Sequence, residues 1–491
     1  MKVIRLVYRY TIIFLPRQRL KILQKGLDAM FWNKNKKGVG AADFAGAGTP
    51  VKFNSVDFRD GQQSLFATRM RTEDMLPLLE RMDAVGYDSM EMWGGATFDV
   101  AVRFLKQDPW ERVRVFKQHV KNTPLKMVLR AQNLVGYHAY PDDIVEAFVY
   151  QAAEAGIDVF LTFDALQDLR NCETAFKAIK RAGKKIEGSV QYNISPFHTT
   201  EAFVKNALEQ EQMGVSLMHV EDMAGLLTPS ASYELISALK KALTIPIHLH
   251  CHCTGGMAVA AYWEAIRAGV DGLDVCVSAL SMGPSVPAIE TFLAALKGTS
   301  RDPKIDIGQF RSINDDLKAV RAKYAEFETK LVGVDVGCLQ HQIPGGMLSN
   351  LESQLKGMNM LQRLPEVLDE VARVRADMGY PPLATPSSQM CGVQATMNVM
   401  TGERYKMVPK EIKGYCRGMY GMPPGKISDE LMQKALGSEK PEFKRPGDLL
   451  EPGIEAARQG CAGLARTWED VLTYALFPNE ATEFLRLKYG V

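Results

Sequence analysis

The sequence predicts an α/β fold, a TIM-type (β/α)8 barrel followed by a mainly helical second domain. Three observations carry this. From residue 51 onward, eight short apolar runs alternate with amphipathic stretches of helical period. Polar residues gather where the apolar runs end, as they do at the carboxyl face of a barrel. Near residue 298 the alternation stops, and Pro- and Gly-punctuated helical patterns take over.

The candidate strands are 53–58, 89–93, 126–130, 159–163, 188–192, 216–220, 247–252 and 273–277. Amphipathic stretches at 72–85, 141–155, 173–182, 202–213, 232–243 and 256–268 lie between them. Eight strand–helix repeats are what barrel closure requires, with an open doubly wound sheet as the competing arrangement. Beyond the barrel, 312–330, 361–378 and 426–436 read as helices. The expected division is a basic leader and linker over 1–48, a barrel over 49–305 and a helical domain over 306–491.

Composition narrows the function. Hydrophobic residues make up 46% and charged residues 24%, a balance that supports a large core without crosslinks. The net charge of +2 gives no reason to expect nucleic acid as the partner. The eight cysteines include no Cys-x-x-Cys pair, which fits free thiols in a reducing, cytoplasmic setting. Residues 1–37 are the exception, with ten Lys or Arg and the single acid Asp28. The apolar patch 10–15 inside them is far shorter than the roughly 20 residues that span a bilayer. A basic surface arm, a peripheral membrane contact and a mitochondrial-type leader all remain open.

The run Ile247-His248-Leu249-His250-Cys251-His252 holds three of the eight histidines. Alternation along a strand puts His248, His250 and His252 on one face and Cys251 and Cys253 on the other. Two imidazoles at that spacing can bind one divalent cation, and a set of hydrogen-bonded core histidines is the structural alternative. A two-histidine site needs oxygen ligands from elsewhere. Asp60, at the end of strand one, is the first candidate, with an ion pair to Arg59 as its other role. Glu91, Asp164 and Asp222 are weaker candidates that serve equally as hydrogen-bond acceptors. Arg130, at the end of strand three, suits a substrate carboxylate held by two parallel hydrogen bonds, or an ion pair to Glu91 or Asp164.

Taken together, the strand-end motifs resemble a known family. They include Arg59-Asp60, Gln63-Ser64-Leu65, Ala67-Thr68-Arg69-Met70, Trp93-Gly94-Gly95-Ala96-Thr97-Phe98-Asp99, Asp222-Met223-Ala224-Gly225, Pro344-Gly345-Gly346-Met347 and Thr385-Pro386-Ser387-Ser388-Gln389. In this order they resemble the carboxyltransferase component of biotin-dependent enzymes. That component is the central subunit of transcarboxylase, the alpha subunit of oxaloacetate decarboxylase and the carboxyltransferase domain of pyruvate carboxylase. The resemblance runs from about Phe58 to Pro478. It implies that the helical domain forms a funnel over the barrel and that Asp60, His250 and His252 bind a divalent metal (zinc, manganese or cobalt). It also implies that Gln63 and Arg130, with Arg59 beside them, contact a 2-oxo acid, and that Thr385 relays a proton between substrate and biotin.

Four positions depart from the family pattern. The family places a lysine, carbamylated as a metal ligand, where this chain has Glu221. Gln62 replaces a histidine, Leu161 stands where an arginine is frequent, and Cys253 stands where relatives carry Ala, Ser or Asp. Glu221 supplies a carboxylate without carbon dioxide but is several bonds shorter, so it enters the site as a fourth candidate metal ligand. No Ala-Met-Lys-Met-type biotinylation motif is present, so biotin is expected on a separate carrier protein. The resulting expectation is a carboxyltransferase subunit acting on pyruvate and oxaloacetate, as a homo-oligomer within a multi-subunit complex. A divergent paralogue with altered substrate or no catalytic role is the first alternative. An aldol-type lyase or synthase of the same metal-barrel superfamily is the second.

Overall fold

The computed structural model describes residues 49–328 and 333–491. The basic segment 1–48 with its apolar patch, and the end of the predicted helix 312–330, lie outside the described residues.

Eight parallel strands close into a barrel in sequence order, β1 pairing with both β2 and β8. They are β1 Lys52–Ser55, β2 Ser89–Trp93, β3 Leu125–Leu129, β4 Val159–Thr162, β5 Lys185–Gln191, β6 Leu217–Asp222, β7 Ile247–Cys251 and β8 Gly272–Val275. The barrel is therefore closed, and the open-sheet alternative is excluded. The surrounding helices are α1 Thr72–Asp83, α2 Pro109–His119, α3 Asp142–Ala155, α4 Glu173–Arg181, α5 Thr200–Gln212, α6 Pro229–Ala242, α7 Ala258–Ala268 and α8 Ile289–Leu296. Local chemistry starts several of them. Asp108 accepts from the backbone N–H of Trp110 with Pro109 at the first helical position, and Thr199 and Thr228 cap α5 and α6.

Strand alternation explains the layering. On β3, Leu125, Met127 and Leu129 join the apolar layer beneath the helices, as do Leu273 and Val275 on β8. The other face of the same strands turns into the barrel. There Lys126, Glu187, His219, His248 and Asp274 are buried where branched apolar side chains usually fill the interior. The barrel of this protein has a charged axis.

The first predicted strand is too long. β1 stops at Ser55, and Asp57–Gly61 wind into a buried helical turn followed by a short helix, Gln62–Phe66. The Val56 carbonyl accepts from the N–H groups of Arg59 and Gly61, and the Asp57 carboxylate accepts from the Val277 N–H and the Ser55 hydroxyl. These bonds pull the chain off the ladder, so Arg59 and Asp60 sit on a helical turn, not on a strand end. β6 runs further than predicted and includes Glu221 and Asp222, while β7 ends one residue before His252.

Helices α9 Gly345–Gly357, α10 Leu364–Asp377, α11 Ser387–Thr401, α12 Lys410–Arg417 and α13 Asp429–Leu436 share a second apolar core, with Val367, Val371, Val374, Cys391, Ile412 and Leu431 fully buried. Two helices that follow, α14 Trp468–Leu476 and α15 Pro478–Tyr489, return to the barrel and bury Leu472, Leu476, Phe484 and Leu485 in its core. A third, small cluster joins the two parts: Val128, Leu161, Phe163 and Ala165 from the ends of β3 and β4 pack against Ala384. No helix of the described residues is long and apolar enough to cross a membrane.

Candidate active site

The site assembles at the carboxyl ends of β1, β3, β6 and β7. Asp60 Oδ2 lies 3.4 Å from His252 Nε2 and 3.8 Å from His250 Nε2, and the two imidazole centroids are 4.9 Å apart. All three side chains are buried. One carboxylate oxygen of Asp60 faces the imidazoles while the other accepts from Arg59 Nη1 at 2.9 Å. The two roles expected as alternatives for Asp60 are thus divided between its two oxygens. Burial alone would raise the Asp60 carboxyl, but His252, Arg59 and His250 outweigh it and hold the group below its ordinary value.

Each imidazole is oriented from behind. His252 Nδ1 donates to the Pro284 carbonyl at 2.5 Å, and His250 Nδ1 meets Asp274 Oδ2 at 3.0 Å. Burial disfavours a charged His250, but the hydrogen bond to Asp274 and the nearby Asp60 prevail and push it up to about 9. His252, with only a neutral carbonyl behind it, is lowered by burial. His248 sits deeper, where its Nδ1 meets the Asn54 amide at 2.9 Å. Its ring lies over Gly272, where a Cβ would come within 2.5 Å of Cδ2. His248 is turned away from Asp60, as a core histidine.

Glu221 pairs in register with Gln191 on β5 and His250 on β7. Its carboxylate is buried and accepts a long 3.4 Å hydrogen bond from Ser189. Its negative charge contributes to the upward shift of His250. Asp222, one residue on, is committed to its own loop: it accepts from the N–H groups of Gly225 at 2.9 Å and Leu227 at 2.7 Å. Asp164 does the same for Leu166, Asp168 and the Asn171 amide.

Arg130 forms neither of the ion pairs expected as alternatives. Glu91 is taken by Arg59, whose Nε donates to it at 2.5 Å. Arg130 Nη1 donates only to the carbonyls of Val135 and Gly136, and the guanidinium stands 5.5 Å from the Tyr137 ring centroid. Among the described residues it has no carboxylate within ion-pair distance. A Cβ on Gly95 would overlap the guanidinium, so the glycine in the Trp93-Gly94-Gly95 turn makes room for it. Burial lowers its affinity for the proton.

Gln63 is half-buried on the short helix next to Asp60, whereas its neighbour Gln62 is fully buried and bonded to the Phe58 carbonyl and the Met70 N–H. Thr385 is half-buried at the start of α11, carried by Ala384, which packs on the ends of β3 and β4. Sequence reasoning missed the groups under the site. Lys126 Nζ stands between Glu187, Asp274 and Glu91 at 3.5, 3.6 and 3.8 Å, and His219 Nε2 meets Asp274 Oδ2 at 3.2 Å. Their signal was a charged residue inside an apolar strand, as in Leu125-Lys126-Met127 and Leu273-Asp274-Val275.

Comparison with known proteins agrees with this architecture. Residues 50–317 match the HMGL-like family and residues 338–490 the conserved carboxylase domain. The chain is 50% identical over 440 residues to a pyruvate carboxylase subunit of Methanocaldococcus jannaschii, covering 89% of this chain and 78% of that protein. It is 45% identical to the methylmalonyl-CoA carboxyltransferase 5S subunit of Propionibacterium freudenreichii subsp. shermanii, covering 88% and 87%. The carboxyl transferase domain of Rhizobium etli pyruvate carboxylase, solved with pyruvate, superposes with a TM-score of 0.87 at 35% identity, over 90% of this chain and 78% of that one. The resemblance read from the strand-end motifs is borne out, and the chain belongs to the biotin-dependent carboxyltransferases, with an HMGL-like barrel joined to the conserved carboxylase domain.

Proposed function

We propose that this chain moves a carboxyl group between biotin, borne on a separate carrier protein, and a 2-oxo acid, with pyruvate and oxaloacetate as the pair. The observation that carries this reading is Arg130, a guanidinium at the barrel mouth with no carboxylate partner among the described residues. Such a group is costly to bury alone and suits the two oxygens of a substrate carboxylate.

The interior fits a divalent cation at Asp60, His250 and His252, with Glu221 contributing charge from the next strand. His250 Nε2 is buried without a hydrogen-bond partner among the described residues. Around it Asp60, Glu91, Glu187, Glu221 and Asp274 are buried, with Arg59 and Lys126 as ion-pairing cations. Zinc, manganese or cobalt meets that donor set. When bound, the cation supplies Lewis-acid stabilisation of negative charge on the 2-oxo oxygen.

The remaining roles belong to the chain. Arg130 fixes the substrate carboxylate, with Gln63 and Arg59 beside it, so that C3 is presented in one orientation. The Thr385 hydroxyl passes the C3 proton to the biotin ring nitrogen as that nitrogen loses its carboxyl group. Threonine is too weak a base to hold the proton, so it serves as a relay between stronger partners.

The test is oxaloacetate decarboxylation by the purified chain, with and without free biotin. Biotin-stimulated decarboxylation that falls about 10- to 100-fold in kcat/KM in Arg130→Met, mainly through KM, supports the reading, since a charge-assisted pair contributes about 1.5–3 kcal/mol. Activity untouched by the substitution sinks it. A second reading, a paralogue without carboxyl transfer, is motivated by Glu221 alone. Metal and activity absent from the natural chain but gained by Glu221→Lys would favour it.

A further inference from the structure

His250 takes part in two clusters. On its Nε2 side are Asp60 and His252, and on its Nδ1 side are Asp274 and His219. The second cluster could be taken for another cation site, since three donor groups converge there. Lys126 argues against that: its ammonium already stands 3.6 Å from Asp274 Oδ1 and supplies the positive charge.

Asp274 is held from all sides. Oδ1 accepts from the Asn54 amide at 2.9 Å, and Oδ2 lies 3.0 Å from His250 Nδ1 and 3.2 Å from His219 Nε2. Asn54 is itself fixed, its oxygen accepting from Ser89 at 2.9 Å and its amide also meeting His248. The Asp274 side chain is fully buried on β8, one strand from His250. An imidazole whose Nδ1 faces a carboxylate keeps its proton there and leaves Nε2 as the nitrogen that gives up its proton to a cation. For His250, that nitrogen faces Asp60 and His252. His252 is turned the same way by a neutral carbonyl, so the two imidazoles differ in the charge behind them.

We propose that Asp274 is the positioning residue of the metal centre: it fixes the tautomer and direction of His250, makes that imidazole the stronger donor of the two, and is anchored for this by Lys126, Asn54 and His219. The proposal rests on the metal reading above and adds a residue that touches neither substrate nor metal.

Two measurements test it on the full chain. In the first, zinc affinity is read by competition with a chromophoric chelator, and the visible spectrum is read after cobalt substitution. Asp274→Asn keeps the shape of the side chain and removes its charge. It is expected to weaken zinc binding about 10- to 100-fold, to keep one metal per chain at saturation and to shift the cobalt bands. An unchanged affinity and spectrum overturn the proposal. The second measurement needs no Asp274 variant to fold. Histidine-specific 15N NMR of the natural chain should show the His250 signal, identified by its loss in His250→Gln, protonated at Nδ1 before and after zinc, with Nε2 as the nitrogen that zinc moves. Zinc on Nδ1 overturns the proposal. If His250→Gln and His252→Gln abolish zinc binding while Asp274→Asn does not, the metal reading stands and the positioning role falls. If the natural chain takes up no metal, both fall.

Discussion

Glu221 and His250 are register partners across β6 and β7, which places a carboxylate directly beside an imidazole whose Nε2 has no hydrogen-bond partner among the described residues. The relationship makes the role of Glu221, which stands where the resemblance implies a lysine, a measurable question. Glu221→Gln keeps the size and removes the charge, and zinc affinity is expected to fall by about tenfold or more, because a unit charge a few ångströms away in a buried site contributes at least about 1.4 kcal/mol. Isothermal titration of the metal-stripped chain checks this. An unchanged affinity would remove Glu221 from the site.

Lys126 supplies the positive charge shared by Glu187, Asp274 and Glu91. Burial works against the ammonium, but Asp274, Glu187 and Glu91 outweigh it and hold the lysine well above its ordinary value. Lys126→Met leaves buried carboxylates uncompensated and is expected to cost about 3–5 kcal/mol in urea unfolding. Adding Glu187→Gln should recover part of the loss. Additive losses would show that the three carboxylates do not depend on this cation.

Gly225 ties the loop after β6 to His252, one of the proposed metal ligands. It sits at φ +73°, and a Cβ there would lie 2.7 Å from the His252 carbonyl oxygen and 3.0 Å from the Gly255 nitrogen. Both neighbours are backbone and cannot swing aside. Gly225→Ala is expected to cost about 1–3 kcal/mol of stability and to weaken zinc binding by displacing His252. Thermal unfolding and zinc titration are the two measurements, and wild-type values in both would contradict the packing described.

Asp57 is expected to give the fold a pH dependence of its own. Burial is the leading cause that raises its carboxyl from 3.8 to about 7, against the hydrogen bonds from Val277 and Ser55. A group raised in the folded state contributes stability that is fully present below its unfolded value and lost as pH rises through the folded one. The loss therefore falls between about pH 4 and pH 7, with an upper magnitude of about 4 kcal/mol. Asp57→Asn, which stays neutral, is expected to flatten the stability profile over that window in urea unfolding at several pH values. A profile as steep as that of the natural chain would assign the dependence to another group.

The barrel and its helical sequel are legible in the sequence, and so is the gathering of polar residues where the strands end. Alternation with period two is local, so the pattern at 247–252 places His248 and His250 on one face without knowledge of the partner strands. Motif order then identified the family, which the comparisons confirm. What each polar group faces follows from packing across the barrel. The helical turn at Asp57–Gly61 depends on the Val277 N–H, 220 residues away in the chain, and it moved Arg59 and Asp60 off the strand. Glu91 was equally available to Arg59 and Arg130 in sequence, and only the closed barrel gave it to Arg59 and left Arg130 without a carboxylate partner among the described residues. The charged axis of Lys126, Glu187, His219 and Asp274 comes from four different strands, and its meaning arises only when closure brings Lys126 and His219 each within 4.0 Å of both carboxylates and away from water. Which charges lose their hydration together is a property of packing and not of any local pattern.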